Sequence, residues 1–291
     1  MPLRPADEHP HPASGPDWSE TWTFDLASAD GSLGGWVSLT RFAGHAWYQA
    51  ALVGPHRQLL AVLDHEVPFR SSPLEVRTTG LWADHVCETP FDHWTVGLEA
   101  FALGVDDPRE LLGRQHGDQV ALGFDLEWES AGPVLDLGPD GYEVPCTVHG
   151  EVLVGRDVID LDGVGTRAHR WGRLDWAAED GWHLAGVVEG GRRWSVDHRD
   201  GATTARDFGA GGDQHVSAPV ADLVVDGDGL PVSATTDDLR AEVLAAVPVP
   251  LPVDGGEVCR TRALCRLRTR DGAVGVGWLE VRGATARLAP G

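Results

Sequence analysis

Residues 163–176 read Gly163-Val-Gly-Thr-Arg-Ala-His-Arg-Trp-Gly-Arg-Leu-Asp-Trp176 and decide how the rest of the chain is interpreted. In an extended strand, successive side chains point to opposite faces. One face of this stretch would carry Arg167, His169, Trp171, Arg173 and Asp175. Such a face is costly to bury unless its members pair with one another. The stretch is therefore consistent either with a structural clasp of internal ion pairs or with a functional site that holds an acid, a base and cationic hydrogen-bond donors.

Alternation with period two recurs outside this stretch and predicts an all-β chain. Glycine (37 residues) and proline (19 residues) are scattered along the sequence, as in proteins with many short strands and turns. Two windows alternate in this way: Trp18, Trp22 and Phe24 share one face with Glu20, and Leu122, Phe124, Leu126 and Trp128 share one face of the other window.

Turn and helix signals are few and local. The turns at 226–229 and at Asp271-Gly272 are each flanked by strand-like runs and predict hairpins. Residues 106–113 combine an acidic cap, a proline in the first turn and a terminal glycine, which predicts one short helix. Residues 237–246 fit a helix or a strand equally well.

A stretch rich in glycine and proline at 130–141 predicts a linker between two domains, 14–130 and 139–290. Each half divides into about seven or eight short strands, the number that makes a β-sandwich or a closed barrel.

The stretch 163–176 also resembles the signature Gly-x-Gly-x-Arg-x-His-x-Trp-Gly-x-Arg-Asp-Trp of a superfamily of tandem lipocalin-like proteins. This superfamily includes carotenoid 1,2-hydratases (hydroxyneurosporene synthases), AttH-like proteins and the lipocalin-like pericyclases called Diels–Alderases. Four further segments support the resemblance in the same order along the chain, and these are 73–82, 87–94 and 98–103 in one block, and 275–280 near the end. The resemblance implies two tandem lipocalin-like β-barrels or sandwiches with minor helix.

One position departs from the signature. The superfamily places Arg directly before the Asp-Trp pair, whereas this chain has Leu174 there and Arg173 one residue earlier. A shift of one residue in a strand moves a side chain to the opposite face. We therefore expect Arg173 to share a face with His169 and Asp175.

Composition excludes several classes of function. The chain has 45 acidic and 23 basic residues, all 23 of them Arg, and a net charge of −22. Such an acidic surface disfavours binding to nucleic acid and to anionic membranes. Without Lys, neither Schiff-base chemistry nor a Walker-type phosphate loop is available.

The chain also lacks the usual signals of export, metal binding and nucleotide cofactors. No apolar run is long enough to span a membrane, and the first residues contain no secretory signal, so we expect a cytoplasmic protein with reduced cysteines. No Cys-x-x-Cys pair, no His pair at metal-ligand spacing and no dinucleotide fingerprint appears. We predict neither a metal nor an organic cofactor.

Candidate site residues follow from the 163–176 strand and from the tryptophans, of which there are 12. Asp175 is the candidate acid and His169 the group that tunes it, while Arg167 or Arg173 would polarise a carbonyl. In a straight strand Asp175 and His169 would lie about 20 Å apart, so they are separate candidates. The candidates for binding an apolar substrate are Trp171, Trp176, Trp82, Trp94 and Trp278. The arginines that alternate along 260–270 predict a solvated strand face, with an anion site as the alternative.

Two kinds of function remain. The first is a cofactor-independent enzyme acting on an apolar polyene, polyketide or isoprenoid, which the resemblance implies. A [4+2]-type cyclase, or pericyclase, of natural-product biosynthesis is favoured, and a hydratase or lyase that adds water to an isoprenoid C=C bond is the alternative. The second is a non-catalytic carrier of a hydrophobic small molecule.

Overall fold

The computed structural model describes residues 3–68, 74–209, 212–216 and 221–283. Pro73, which begins one of the segments of the resemblance, and residues 284–290 of the second predicted domain lie outside these ranges. Within them, the eleven strands of the first sheet are β1 (Trp18–Ser28), β2 (Gly34–Arg41), β3 (Ala46–Val53), β4 (Leu59–Val67), β5 (Glu75–Thr78), β6 (Leu81–Thr89), β7 (His93–Val105), β8 (Asp118–Ser130), β9 (Leu135–Asp136), β10 (Gly141–Val154) and β11 (Asp157–Arg173).

The first sheet closes on itself. Its strands follow the order β4-β3-β2-β1-β11-β10-β8-β7, and a further antiparallel pairing of β4 with β7 joins the two ends of this series. Eight strands thus form a ring, the size at which side chains alone fill the interior of a barrel. The filling is aromatic and aliphatic, and its largest fully buried members include Trp22, Trp94, Trp128, Tyr48 and Tyr142.

The glycines that begin the 163–176 stretch let β11 approach β1 closely. A Cβ atom at Gly165 would lie 1.9 Å from the carbonyl oxygen of Asp25, and one at Gly163 would lie 2.4 Å from that of Ala27. The Asp25 carbonyl also accepts a hydrogen bond from the indole N–H of Trp128 at 2.7 Å. The two glycines are therefore required by the packing of β1 against β11.

The second sheet has nine strands in the order β15-β14-β13-β12-β20-β19-β18-β17-β16 among the described residues. All of its strand pairs are antiparallel, as are those of the first sheet, so the all-β prediction is confirmed. Its strands are β12 (Gly181–Val188), β13 (Arg192–Arg199), β14 (Ala202–Gly209), β15 (Gly212–Val216), β16 (Asp222–Val225), β17 (Pro231–Thr235), β18 (Leu239–Val253), β19 (Gly256–Thr269) and β20 (Val274–Arg282).

The core of the described residues consists of three apolar clusters, one of which joins the two sheets. The first fills the barrel, and the third covers the far face of the second sheet with residues such as Trp182, Leu184 and Leu267. The second cluster lies between the sheets and joins Trp36 on β2 to Leu264 on β19 and Trp278 on β20. The outer wall of the barrel therefore packs directly against one face of the second sheet.

Two hairpins and one short helix of the structure lie where the local sequence signals predicted them. β16 pairs with β17, and β19 pairs with β20, so both predicted hairpins are confirmed. The predicted helix at 106–113 is a 3-10 helix over Pro108–Leu111, and others lie at Pro5–Glu8 and Glu189–Gly191. The ambiguous residues 237–246 contribute to strand β18. Among the described residues, no helix is both long enough and apolar enough to cross a membrane.

The chain passes from the first sheet to the second at residues 174–180, which connect β11 to β12. The predicted linker at 130–141 lies within the first sheet, because β10 and β11 pair with β8 and β1. The division of the chain into two domains, 14–130 and 139–290, stays a prediction.

Candidate functional site

The inward face of β11 holds a buried ion pair rather than an open site. Arg167 is 3% exposed, and its Nη1 atom lies 2.8 and 2.9 Å from the two carboxylate oxygens of Glu8. Glu8 belongs to the 3-10 helix at the N-terminus and also accepts a hydrogen bond from the indole N–H of Trp94 at 2.6 Å. A buried arginine needs such a partner. The N-terminal segment thus provides the counter-charge for the first residue of the predicted site.

His169 lies on the same face and is 1% exposed. Its Nε2 atom lies 3.0 Å from Oε1 of Glu20, and its Nδ1 atom lies 2.9 Å from the backbone carbonyl oxygen of Asp7. The ring stacks on Trp22 at a centroid distance of 4.4 Å. Burial lowers the pKa of His169 and outweighs the attraction of Glu20.

Asp175 does not share the face of His169, contrary to the expectation, and Arg173, which pairs with Trp18 at the end of β11, is exposed. Gly172, with φ of +118°, turns the end of β11. The side chain of Arg173 is 82% exposed and its Nη2 atom lies 2.9 Å from Asp17. Asp175 lies in the turn after the strand, where its carboxylate accepts hydrogen bonds from the backbone N–H groups of Ala177 and Ala178 at 3.1 Å. The expectation fails because the extended backbone ends before Asp175.

The five tryptophans that were candidates for substrate binding lie in four different environments. Trp94 is in the barrel core and Trp171 stacks on His11 near the N-terminal segment. Trp82 lines a surface depression on the outer wall of the barrel. Trp176 and Trp278 lie together between the two sheets. The structure thus brings two of the five into one place.

That place is a cleft between the barrel wall and the second sheet, which we call the inter-sheet cleft. The barrel contributes the outward-facing residues of β1, β10 and β11, including Asp25, Glu143 and Ala168. The second sheet contributes residues of β12, β19 and β20, including His183 and Trp278. The cleft is lined by Thr21, Thr23, Asp25, Glu143, Thr166, Ala168, Arg170, Leu174, Trp176, Glu179, His183, Ala185, Arg260, Arg262, Trp278, Glu280 and Arg282.

Three arginines surround Glu280 in the cleft. Its carboxylate lies 2.6 Å from Nε of Arg282, 3.6 Å from Nη1 of Arg260 and 3.7 Å from Nε of Arg262. Burial raises the pKa of Glu280, but the three guanidinium groups outweigh it and hold that pKa well below its ordinary range. Arg260 also forms an ion pair with Glu179. The arginines are thereby neutralised within the protein.

Asp25 is the carboxyl group of the cleft whose pKa is raised. It forms an ion pair with Arg262. Burial, together with the nearby negative charges of Glu280 and Glu143, outweighs the attraction of Arg262 and raises the pKa of Asp25 from 3.8 to about 6. A carboxyl group with such a pKa exchanges a proton near neutral pH, which suits a general acid.

His183 bridges two acids on the other side of the cleft. Its Nε2 atom lies 2.8 Å from Oε1 of Glu143, and its Nδ1 atom lies 3.6 Å from Oδ1 of Asp197. Burial alone would lower the pKa of His183, but the two carboxylates raise it from 6.5 to about 9. The ring is therefore cationic at neutral pH and binds strand β12 to strand β10.

The cleft consists of small inner cavities and a wide outer part. The two inner cavities have volumes of about 70 and 40 Å³, too small for a natural product. The outer part has a volume of about 640 Å³, within the range of sites for small organic molecules. Its walls include Phe42, Trp47 and Trp176, and both Arg173 and Asp175 lie on its rim.

Trp176 lines all three spaces. The guanidinium carbon of Arg260 lies 4.1 Å from the centroid of its ring, which is cation–π geometry. On the opposite side of the cleft, Arg262 lies 4.9 Å from the ring of Trp36 and 5.7 Å from that of Trp278. Trp176 therefore separates the outer part from the ionic groups of the inner cavities.

Sequence reasoning missed the ionic groups of the cleft. The arginines at 260 and 262 were predicted to lie on a solvated face, and this is wrong for Arg262, which is 7% exposed. The prediction holds for Arg266, Arg268 and Arg270, which are exposed further along the same strand. The even-numbered face of β19 is covered by the barrel at one end only. The alternation along β1 did place Asp25 on the face opposite Trp22 and Phe24. It could not show that this second face is covered by the second sheet.

Two groups of side chains among the described residues have the composition of a metal site. His11, Glu20 and His169 bring one ligand atom each to within 4.8 Å of one another, and so do His93, Glu127 and Glu129. The first group is largely buried, and the second lies on the outer wall of the barrel.

Comparison with known proteins agrees with this fold. An AttH-like protein from Nitrosomonas europaea is 13% identical, with a TM-score of 0.62 over 93% of this chain and 94% of that protein. CghA, whose structure has also been determined with Sch210972, is 13% identical, with a TM-score of 0.55 over 93% of this chain and 89% of CghA. Kievitone hydratase from Nectria haematococca is 10% identical, with a TM-score of 0.53 over 92% of this chain and 90% of the hydratase.

These likenesses confirm the resemblance to the tandem lipocalin-like superfamily at the level of the fold. At such low identity they establish no activity. A family model described as a domain of unknown function, DUF7064, matches residues 4–284, nearly the whole length of the protein. The chain therefore belongs to the DUF7064 family.

Proposed function

We propose that this protein is a cofactor-independent cyclase of the [4+2] type that acts on an apolar polyene, polyketide or isoprenoid bound in the inter-sheet cleft. One observation carries the proposal: an open space of about 640 Å³ with aromatic walls ends on Trp176, directly in front of a set of buried ionic groups. A folded apolar chain would pack against Phe42, Trp47 and Trp176. The ionic groups behind Trp176 would then face one end of the substrate.

The charges of the cleft favour an uncharged substrate. Arg260, Arg262 and Arg282 are matched by Glu179, Asp25 and Glu280, so the charges of these three cations are offset within the protein. A pericyclic reaction needs no proton transfer, only a folded substrate and a polarised carbonyl group. Arg173 on the rim of the outer part offers an exposed guanidinium for such a carbonyl.

Asp25 supports a second candidate function, a hydratase or lyase. Protonation of an alkene requires a proton donor, and Asp25, whose pKa is raised to about 6, keeps its proton to a higher pH than an ordinary carboxyl group does. In this case the aromatic rings around the cleft would stabilise the carbocation.

The first experiment identifies the ligand. Native mass spectrometry of the protein isolated from its own host, followed by extraction into organic solvent, should release a polyene, terpenoid or polyketide. Trp176→Ala should abolish its retention, whereas Trp82→Ala, a matched change on the outer wall of the barrel, should not. A protein that retains no ligand and fails to bind an apolar fluorescent probe would refute an apolar site in the cleft.

Turnover of that ligand or its precursor then separates the candidate reactions. A cyclase should remain active in Asp25→Asn and in Asp175→Asn, since neither carboxyl group transfers a proton. A hydratase should lose activity in Asp25→Asn while still binding its substrate. Binding without turnover in the wild-type protein would leave the carrier as the function.

A further inference from the structure

The N-terminal segment brings three ligand-type side chains together at a place distinct from the inter-sheet cleft. His11 follows the 3-10 helix Pro5–Glu8, Glu20 lies on β1 and His169 lies on β11. Glu20 is fully buried and His169 is 1% exposed, while the side chain of His11 is 21% exposed. The group therefore faces solvent on the side where His11 lies.

One carboxylate oxygen lies between the two imidazole rings. Oε1 of Glu20 is 2.7 Å from Nδ1 of His11 and 3.0 Å from Nε2 of His169. The same oxygen accepts the backbone N–H of His11 at 2.8 Å, and Oε2 of Glu20 lies 3.1 Å from Nη1 of Arg41. Two nitrogens and one carboxylate thus converge on a single point, with the second carboxylate oxygen held by an arginine.

The outer nitrogen of each ring faces an acceptor from Asp7. Nδ1 of His169 lies 2.9 Å from the backbone carbonyl oxygen of Asp7, and the hydroxyl of Tyr142 is 3.4 Å away. A carbonyl oxygen can only accept, so Nδ1 carries a proton, and Nε2 is the ring atom that faces Glu20. Nε2 of His11 lies 3.8 Å from Oδ1 of Asp7. Histidines that bind metals donate their other ring N–H to a backbone carbonyl or a carboxylate, as His169 does to Asp7.

We propose that His11, Glu20 and His169 bind a zinc ion. Nε2 of His169 and Nδ1 of His11 lie 3.0 and 2.7 Å from the same carboxylate oxygen of Glu20, so a cation placed among the three atoms would be bound by all of them. Two histidines and one glutamate are a known ligand set for zinc, with metal–ligand distances of about 2.0–2.2 Å. At tetrahedral angles this requires ligand atoms about 3.3 Å apart, so Oε1 of Glu20 would move about 0.3–0.6 Å away from the two ring nitrogens, and all three ligand atoms already lie within 4.8 Å of one another. The solvent-facing side of His11 leaves room for a water molecule as the fourth ligand.

The second His-Glu group provides an internal comparison. His93, Glu127 and Glu129 lie on the outer wall of the barrel, and both glutamates are exposed. Exposed carboxylates often lie near a histidine in proteins that hold no metal there, because water solvates each of these groups. A zinc ion that binds this protein specifically should therefore prefer the group under the N-terminal segment.

The test is a zinc titration of the chelator-treated full-length protein, produced without a histidine tag. Calorimetry should detect one equivalent of zinc, and the melting temperature should rise with zinc concentration. His11→Ala should weaken zinc binding by at least about tenfold, and because this side chain is partly exposed the variant should still fold. Asp7→Ala removes the carboxylate near His11 together with its hydrogen bond to the backbone N–H of Arg4, and should weaken zinc binding less than His11→Ala does.

Two control variants make the outcome decisive. His9→Ala changes an exposed histidine in the same segment, and His93→Ala removes the second group; both should bind zinc as the wild type does. Equal zinc affinity in the wild type and in folded His11→Ala would overturn the proposal, as would the loss of the bound equivalent in His93→Ala. Absence of saturable binding at one equivalent would show that the three side chains form a hydrogen-bonded latch and nothing more.

Discussion

His183 should make the stability of the protein depend on pH between about 6.5 and 9. Its pKa rises from 6.5 to about 9 because, although burial opposes the charge, Glu143 and Asp197 stabilise the cationic ring. Below pH 6.5 both the folded and the unfolded chain carry the proton, and the stabilisation is complete. As the pH rises, the unfolded chain loses the proton first, so the free energy of unfolding falls until the folded protein also loses it near pH 9.

The size of the effect follows from the two pKa values. At about 1.4 kcal/mol per pH unit, a pKa raised from 6.5 to about 9 contributes about 3 kcal/mol to the free energy of unfolding. For a urea dependence of about 3 kcal/mol per M, this corresponds to a change of about 1 M in the midpoint of unfolding.

Urea unfolding of the wild type and of His183→Gln at pH 5.5 and pH 9.5 measures this contribution. Other titrating groups, including Asp25, are present in both proteins, so the difference between the two unfolding free energies isolates His183. That difference should shrink by about 3 kcal/mol from pH 5.5 to pH 9.5. His56→Gln, at an exposed loop position, serves as the control and should follow the wild type. A wild-type advantage over His183→Gln that stays constant with pH would refute the reasoning.

Two further substitutions test the packing of the barrel, and a third tests an exposed ion pair. Glu8→Ala removes the partner of the buried Arg167 guanidinium and should lower the free energy of unfolding by about 3–5 kcal/mol, measured in urea; a loss under 1 kcal/mol would contradict a buried ion pair. Gly165→Ala places a Cβ atom 1.9 Å from the carbonyl oxygen of Asp25, so the circular dichroism of the variant should show a large loss of strand structure, and a wild-type melting curve would argue against close packing there. Arg173→Ala removes only an exposed ion pair, and its melting temperature should stay within a few degrees of the wild type.

The periodicity of the sequence predicted which residues share a face. Leu122, Phe124, Leu126 and Trp128 alternate with polar residues, and all four are buried inside the barrel. Arg167 and His169 were placed together by the same rule, and both lie on the inward face of β11. The rule holds because side chains of a strand alternate regardless of what lies across the sheet.

The same rule failed where a strand ends. Asp175 was counted on the face of His169, but the backbone turns at Gly172 and the carboxylate caps a turn on the rim of the cleft. The face of β19 shows a related limit: Arg262 is buried and Arg266 is exposed, although they alternate in register. What covers a face depends on distant parts of the chain, so local spacing carries no information about it.

The sequence by itself thus determined the all-β class, two hairpins and which residues of β11 share a face. Only the tertiary structure decided that Glu8 pairs with Arg167, 159 residues further along the chain, and that Asp25 meets Arg262, 237 residues away. Burial costs a charge several kcal/mol unless a partner of opposite sign is present. The partner is selected by the packing of the barrel against the second sheet, and alternation along a strand cannot specify which distant residue that packing brings near.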